Sequence, residues 1–458
     1  MIRVFNVYYP KRLLVLVAGE ALLVCASFIL GAILRLGQDS LLVLEYENGL
    51  YKILGITAVA VVCLYYFDLY DPDRVPSRGE TYFRLLVALG LLSFLLGGLS
   101  FFYPGFMVGG DAFVVGLFIL TLALFGWRSG YAWLICQPFL RERIYVLGTG
   151  GRAQRFVASL RSRPEIGIDV VGWSRRVEPD PDNPEDLGTG LMEMVSKRQV
   201  NRVIVALGDR RGAMPVRELL EVRLSGVKVE DVTGILEKIT GKVEIEGLYP
   251  SWLIFSEGFR LGSAFIFARR VVSVVASLIL LLVILPFLPF IALAIKLDSP
   301  GAIFYRQKRV GQRGKVFQCI KFRTMRSDAE ATSGPSWADE ADPRITRVGR
   351  WLRRSRLDEV PQLWNVLRGD MGFVGPRPER PEFVEWLIRE IPYYNFRHTI
   401  RPGITGWAQV CYQYGASLEE AKEKLQYDLY YTKNMSLGLD MVIILRSIKI
   451  VLFGYGAR

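Results

Sequence analysis

A chain of 458 residues is too long for one compact core and divides into about three domains. It is 51% hydrophobic with a net charge of +12, which suits a membrane surface or phosphate-rich ligands. With no zinc-finger spacing, RNA-binding aromatic signature or basic zipper, that charge does not point to nucleic acid.

Four apolar runs fill the first third, at 13–36, 53–67, 85–102 and 112–136, most of them near the ~20 residues that cross a hydrocarbon core. The first is too long for a signal peptide, contains Glu20 and lacks a small-residue cleavage pattern. Glu20, near the cytoplasmic end, is expected to serve an interfacial or helix-packing role rather than intramembrane chemistry. Lys11 and Arg12 precede the first run, Arg74, Arg78 and Arg84 lie between the second and third, and Arg141 and Arg143 follow the fourth. Residues 103–111 carry no Lys or Arg, and Arg35 alone breaks the pattern. The positive-inside rule therefore places both ends of this four-span bundle, residues 1–140, in the cytoplasm.

Residues 141–262 read as a small Rossmann-like α/β domain. A buried strand at 144–147 leads into Gly148-Thr149-Gly150-Gly151-Arg152-Ala153, which opens a helix to Leu160, and further strands follow at 168–172 and 202–206. The Gly148-x-Gly150-x-x-Ala153 pattern is able to seat a pyrophosphate on a helix N-terminus. Ser174, Arg175 and Arg176 stand where a ribose-binding acid is needed, so a structural or regulatory domain is favoured over bound NAD.

The fifth apolar run, 271–297, begins after Arg269 and Arg270 and has Lys296 at its far end. Pro286 and Pro289 interrupt it, and its basic flanks favour the same side of the membrane for both ends. A re-entrant helix-break-helix hairpin meets both conditions. A plain kinked span would put the rest of the chain outside the cell.

Residues 301–431 hold the polar motifs. Five cysteines (Cys25, Cys63, Cys136, Cys319 and Cys411) form no CxxC pair, and His398 is the sole histidine. Acid–base chemistry therefore falls to carboxylates, Lys or Tyr. Arg347, Arg350 and Arg354 share a helical face, either solvated or facing anionic headgroups. Leu357-Asp358-Glu359-Val360-Pro361 places two acids at the N-terminal end of a helix with Pro361 in its first turn, where negative charge is stabilised. Ordinary capping explains that pair in isolation. Three basic turns accompany it: Lys321-Phe322-Arg323-Thr324-Met325, Gly375-Pro376-Arg377-Pro378, and Arg401-Pro402-Gly403-Ile404-Thr405-Gly406-Trp407. Together they suit Mg²⁺ and a pyrophosphate.

With the Pro-broken hairpin, LDEVPQLWNVLRGDM at 357–371, RPGITGWAQV at 401–410 and DLYY at 428–431, residues from about Phe267 onward resemble the bacterial sugar transferase family. These are polyprenyl-phosphate hexose-1-phosphate transferases, and the whole chain resembles the long-form members that initiate exopolysaccharide or O-antigen units. The resemblance implies a monotopic α/β catalytic domain at 263–458 that moves hexose-1-phosphate from a UDP-sugar to a polyprenyl phosphate and releases UMP. It makes Asp358 the nucleophile and Mg²⁺ contact and Glu359 its acidic partner. Lys321, Arg323, Arg354, Arg377, Arg401 and Thr405 are the substrate-binding candidates, and Pro286 with Pro289 forms the hairpin break. Leu285 departs from the small polar residue that relatives often carry before the first of these prolines. The implied setting is the bacterial inner membrane, with the Rossmann-like and catalytic domains cytoplasmic and self-association as a homodimer left open. A membrane-anchored NAD-dependent enzyme and a non-catalytic assembly scaffold are the alternatives from other classes.

Overall fold

The computed structural model describes all residues except 1, 47, 72–76, 104–109, 136, 138–140, 149, 162–166, 175–190, 208–213, 247–261, 327–341, 413–416 and 454–458. Arg74, Thr149, Arg175 and Arg176 thus lie outside the described residues. The chain divides into two compact units, Met1–Ile2 with Tyr9–Val232, and Arg3–Tyr8 with Thr233–Arg458. At the N-terminus, β1 (Ile2–Val4) pairs with β2 (Val7–Tyr9).

The first unit opens with α1 (Lys11–Leu36), α2 (Ser40–Glu45), α3 (Gly49–Tyr66), α4 (Arg78–Phe102) and α5 (Gly110–Ile135). The four expected runs are helical over 13–36, 53–66, 85–102 and 112–135, and Cys136 lies outside the described residues. Among the described residues, five helical stretches are long and apolar enough to cross a membrane, four of them here, which makes the chain a membrane protein. Leu16, Val24, Phe28, Ile56, Leu85, Leu92 and Leu120 are buried in the bundle core, while Leu22, Phe94 and Phe118 are exposed.

Close approach of α1 and α5 depends on glycine. A Cβ on Gly31 would lie 2.7 Å from the Gly116 backbone nitrogen, so only small residues fit this crossing. That approach brings Arg128 of α5 to Glu20 of α1, which is fully buried. Arg128 Nε donates to Glu20 Oε1 at 2.6 Å, and Arg128 Nη2 and the Tyr70 hydroxyl donate to Oε2 at 3.1 and 2.6 Å. Of the interfacial and helix-packing roles its position allowed, Glu20 has the helix-packing contacts.

The rest of this unit is parallel α/β. Strands β3 (Glu142–Leu147), β4 (Ile168–Ser174), β5 (Arg202–Val205) and β6 (Lys228–Asp231) form one sheet in the order β4-β3-β5-β6. All three pairings are parallel, joined by α6 (Gly151–Arg161), α7 (Leu191–Lys197) and α8 (Val216–Leu224). Tyr145, Leu147, Val203, Val205, Leu219 and Val222 fill one core face.

In the second unit α9 (Val232–Thr240) precedes the broken apolar helix. α10 (Ser263–Ile284) passes through a 3-10 turn, Leu285–Phe287, into α11 (Leu288–Asp298). Pro286 lies in the turn and Pro289 near the start of α11, where a missing amide costs least. Ile284, Leu285, Phe287 and Leu288 keep right-handed helical dihedrals, so the prolines interrupt the ladder without a loop.

Both ends of this helical pair are bonded to the α/β body that follows. It comprises β7 (Phe304–Val310), β8 (Val316–Phe322), α12 (Arg347–Arg354), α13 (Gln362–Arg368), β9 (Gly372–Val374), α14 (Pro381–Glu390), β10 (Gly403–Thr405), α15 (Trp407–Cys411), α16 (Leu418–Asn434) and α17 (Leu437–Phe453). At the start of α10, Arg269 Nε donates to Asp440 Oδ2 at 2.9 Å and Arg270 Nη2 donates to Leu367 O at 2.8 Å. At the end of α11, Asp298 Oδ2 accepts from the Val348 amide at 2.9 Å. β7 and β8 are antiparallel, and β9 and β10 are parallel.

Candidate active site

Asp358 and Glu359 occupy a 3-10 turn, Leu357–Glu359, one step ahead of α13 rather than inside its first turn. Pro361 explains the offset. It has no amide to return to the Leu357 carbonyl, which instead accepts from Val360 N at 3.2 Å, three residues on. Arg356 enters the turn with a left-handed φ of 57°. Both acids are buried, at 8% and 7% exposure.

Asn365 of α13 sets β8 against this turn. Its Oδ1 accepts from Ile320 N at 3.1 Å and its Nδ2 donates to Gln318 O at 2.8 Å. The next residue on β8 is Lys321, whose Nζ lies 3.0 Å from Glu359 Oε1. Arg377 Nη2 reaches the same oxygen at 2.7 Å. Asp358 takes part in neither bond.

The arginine loop is set by glycines. A Cβ on Gly375 would come within 2.5 Å of Arg401 O, so the 375–378 turn and the strand entry at 401–403 touch backbone to backbone. This holds Arg377 between two prolines and beside the acidic pair.

Burial pushes the Asp358 carboxyl up, and the Glu359 charge adds to that, outweighing Lys321, Arg377 and Arg353. Burial acts the same way on Glu359, but Arg377, Lys321 and Arg356 outweigh it and hold Glu359 well below the ordinary carboxylate range. The pair thus contains one fixed anion inside a cationic clamp and one carboxylate outside it.

The remaining candidates have other places. Arg323 turns to the end of α11, donating from Nη2 to Ser299 O at 2.6 Å, Ser299 Oγ at 3.0 Å and Ile295 O at 3.3 Å. Arg354 is exposed on α12 with Arg347 and Arg350, whereas Arg353 adds its charge to those of Lys321 and Arg377 at Asp358 and donates from Nε to Thr324 Oγ1 at 3.0 Å. Thr405 Oγ1 is 2.6 Å from Ser447 Oγ of α17. Arg401 leads into β10, its carbonyl packed against Gly375.

Arg353 and Arg356, which the sequence shows only as members of an arginine-rich stretch, act on Asp358 and Glu359 respectively. Arg353 adjoins the nominated Arg354, and helical spacing alone gives no phase relative to a site. Among the described residues no group of three or more His, Cys, Asp or Glu side chains is arranged to hold a metal. Asp358 is the carboxylate outside the clamp, and Mg²⁺ commonly takes one or two protein carboxylates and completes its shell with water and substrate phosphate. The donor set fits that mode.

Residues 264–454 match the family described as bacterial sugar transferase. A UDP-N-acetylgalactosamine-undecaprenyl-phosphate N-acetylgalactosaminephosphotransferase of Aeromonas hydrophila is 41% identical over 243 residues, covering 53% of this chain and 56% of the relative. A UDP-glucose:undecaprenyl-phosphate glucose-1-phosphate transferase of Escherichia coli is 34% identical over 332 residues, 69% of each chain. One of the same name from Xanthomonas campestris is 31% identical over 423 residues, 86% of this chain and 84% of the relative.

Proposed function

Because the chain belongs to the bacterial sugar transferase family, we propose that it transfers a sugar-1-phosphate from a UDP-sugar to undecaprenyl phosphate and releases UMP. This would be the first membrane step of an exopolysaccharide, O-antigen or capsule pathway. The observation that carries the reading is the clamp of Lys321 and Arg377 on Glu359, with buried Asp358 beside it and outside those bonds.

In the proposed mechanism an ionised Asp358 oxygen attacks the sugar-linked phosphorus. The bond from that phosphorus to the bridging oxygen breaks, and UMP leaves with the electron pair. A phosphate oxygen of the polyprenyl acceptor then attacks the aspartyl phosphosugar and frees the Asp358 carboxylate. Arg377, Lys321 and Arg353 stabilise charge that develops at phosphorus. Asp358, with substrate phosphate oxygens, would hold Mg²⁺, which neutralises pyrophosphate charge when bound. A covalent intermediate lets a water-soluble donor and a lipid acceptor use one interfacial site in turn.

The proposed architecture is a four-span bundle at 1–140, a Rossmann-like domain at 141–262 and a catalytic domain at 263–458 with a re-entrant hairpin, the two α/β parts lying in the cytoplasm at the inner membrane. The bonding of both hairpin ends to the same α/β body supports re-entry. The test is purified protein with Mg²⁺ and UDP-sugar but no acceptor: phosphosugar should accumulate on wild type and not on Asp358→Asn. Kinetics that require both substrates bound together, with no protein-bound phosphosugar, would favour direct in-line transfer and leave Asp358 a metal ligand or base.

A further inference from the structure

Four consecutive carbonyls of the loop that carries Arg377 are each taken by a donor. Pro376 O accepts from Gly403 N at 3.0 Å, Arg377 O from Arg397 Nη2 at 2.9 Å, Pro378 O from Arg309 Nη1 at 3.1 Å and Glu379 O from Val310 N at 2.9 Å. Two of these donors are side chains, and Arg397 serves the residue whose guanidinium reaches Glu359.

Arg397 is built to stay still. It lies in a 3-10 stretch, Tyr394–Thr399, at 6% exposure. Its Nη2 is 2.8 Å from Asp428 Oδ2 of α16, Nη1 donates to the Tyr394 hydroxyl, and the guanidinium lies 5.1 Å from the Tyr394 ring centre. α16 is itself fixed by a capping box in which Ser417 Oγ accepts from Glu420 N and Glu420 Oε2 accepts from Ser417 N. Burying an Arg–Asp pair gains little net stability, because desolvation offsets most of the attraction. What the pair supplies here is a rigid donor aimed at one carbonyl.

We propose that Arg397 is a positioning residue that sets the backbone of Arg377, and through it the guanidinium at the acidic pair. The proposal rests on the transferase reading for its activity assay, and a second readout is independent of activity. Lysine at 397 keeps a positive charge for Asp428 but has one nitrogen and cannot serve Asp428, Tyr394 and Arg377 together.

The experiment compares full-length wild type, Arg397→Lys, Arg377→Ala and the double variant in detergent, with UDP-sugar, undecaprenyl phosphate and Mg²⁺. Arg397→Lys alone should lower the rate of UMP release by about 10- to 100-fold, the usual scale for a misplaced catalytic group. On the Arg377→Ala background it should add no more than about twofold. Losses that multiply would overturn the proposal, since Arg397 would then act independently of Arg377. Hydrogen exchange gives the second reading: the amides of Gly375, Arg377, Glu379 and Arg380 should exchange faster in Arg397→Lys while β8 keeps wild-type rates. Uniform acceleration across the unit would mean a general structural role and refute positioning. If wild type releases no UMP, the proposed function fails and the exchange measurement still decides Arg397.

Discussion

Two adjacent acids should respond in opposite ways to neutralisation. Glu359→Gln leaves Lys321 and Arg377, which meet at one Glu359 oxygen, without their anion. Removing one partner of a buried pair costs about 3–5 kcal/mol, and the lower end applies because Lys321 and Arg377 keep 21% and 26% side-chain exposure. About 3 kcal/mol corresponds to a fall in Tm of about 6–12 °C for a unit of this size. A carboxyl held below its unfolded value adds stability above that value, so the Glu359 contribution is fully present at pH 7. Asp358 has the other sign. Its folded value is raised, so its stability contribution belongs to low pH and is lost as pH rises, which makes the ionised form a cost at pH 7. Asp358→Asn should therefore leave Tm unchanged or raise it, although activity is lost. The assay is tryptophan-monitored thermal unfolding at pH 7 in EDTA. A higher Tm for Glu359→Gln than for Asp358→Asn would refute the clamp.

Turnover of Asp358→Asn should fall by several orders of magnitude in a UMP-release assay, with Glu359→Gln also severe. Cysteines placed at 301–309 should resist periplasmic labelling in intact cells, and strong labelling there would sink the re-entrant hairpin. His398 is held down to about 4 by burial and the neighbouring Arg397 charge. Its neutral form is favoured in the fold, so stability is present above the unfolded value near 6.5 and is lost as pH falls, by up to about 3 kcal/mol near pH 4. Wild type should accordingly lose more Tm than His398→Asn between pH 7 and 4, and parallel slopes would refute this. A fragment beginning at 263 should unfold at lower temperature than one beginning at 233. It lacks Gly241 O, which accepts from Trp407 Nε1 at 2.7 Å, and Glu237, bonded to Lys433 Nζ at 2.7 Å and Asn434 Nδ2 at 3.2 Å.

What was legible in the sequence followed from length and type of run. Twenty apolar residues leave few alternatives to a helix, and the four runs needed correction only at their ends, as at 49–52, where Tyr51 and Lys52 hid the first turn of α3. β6, Lys-Val-Glu-Asp, gave no signal because its four residues are mixed and owe their place to pairing with β5. The acidic pair and Arg377 were readable from their motif, but the partition of the cations was not. Lys321 and Arg323 would share a face if β8 continued. The strand ends at Phe322, and Arg323 departs toward Ser299. Tyr394 is a local partner of Arg397, but the two that give it its role lie at 377 and 428 and only the fold joins them.

In the proposed four-span bundle the Glu20–Arg128 pair also sets an order of events during biogenesis. The two residues are 108 positions apart, so at ordinary synthesis rates α1 enters the bilayer about 5–20 s before its counter-ion exists. During that interval Glu20 lacks its counter-charge, which weakens insertion by up to about 3 kcal/mol, and the surrounding apolar turns must hold α1 in place. Arrival of α5 then supplies arginine and closes the crossing at Gly31 and Gly116 in one step. A nascent chain that stops short of α5 has the Tyr70 hydroxyl to donate to Glu20 but lacks the Arg128 charge that neutralises it.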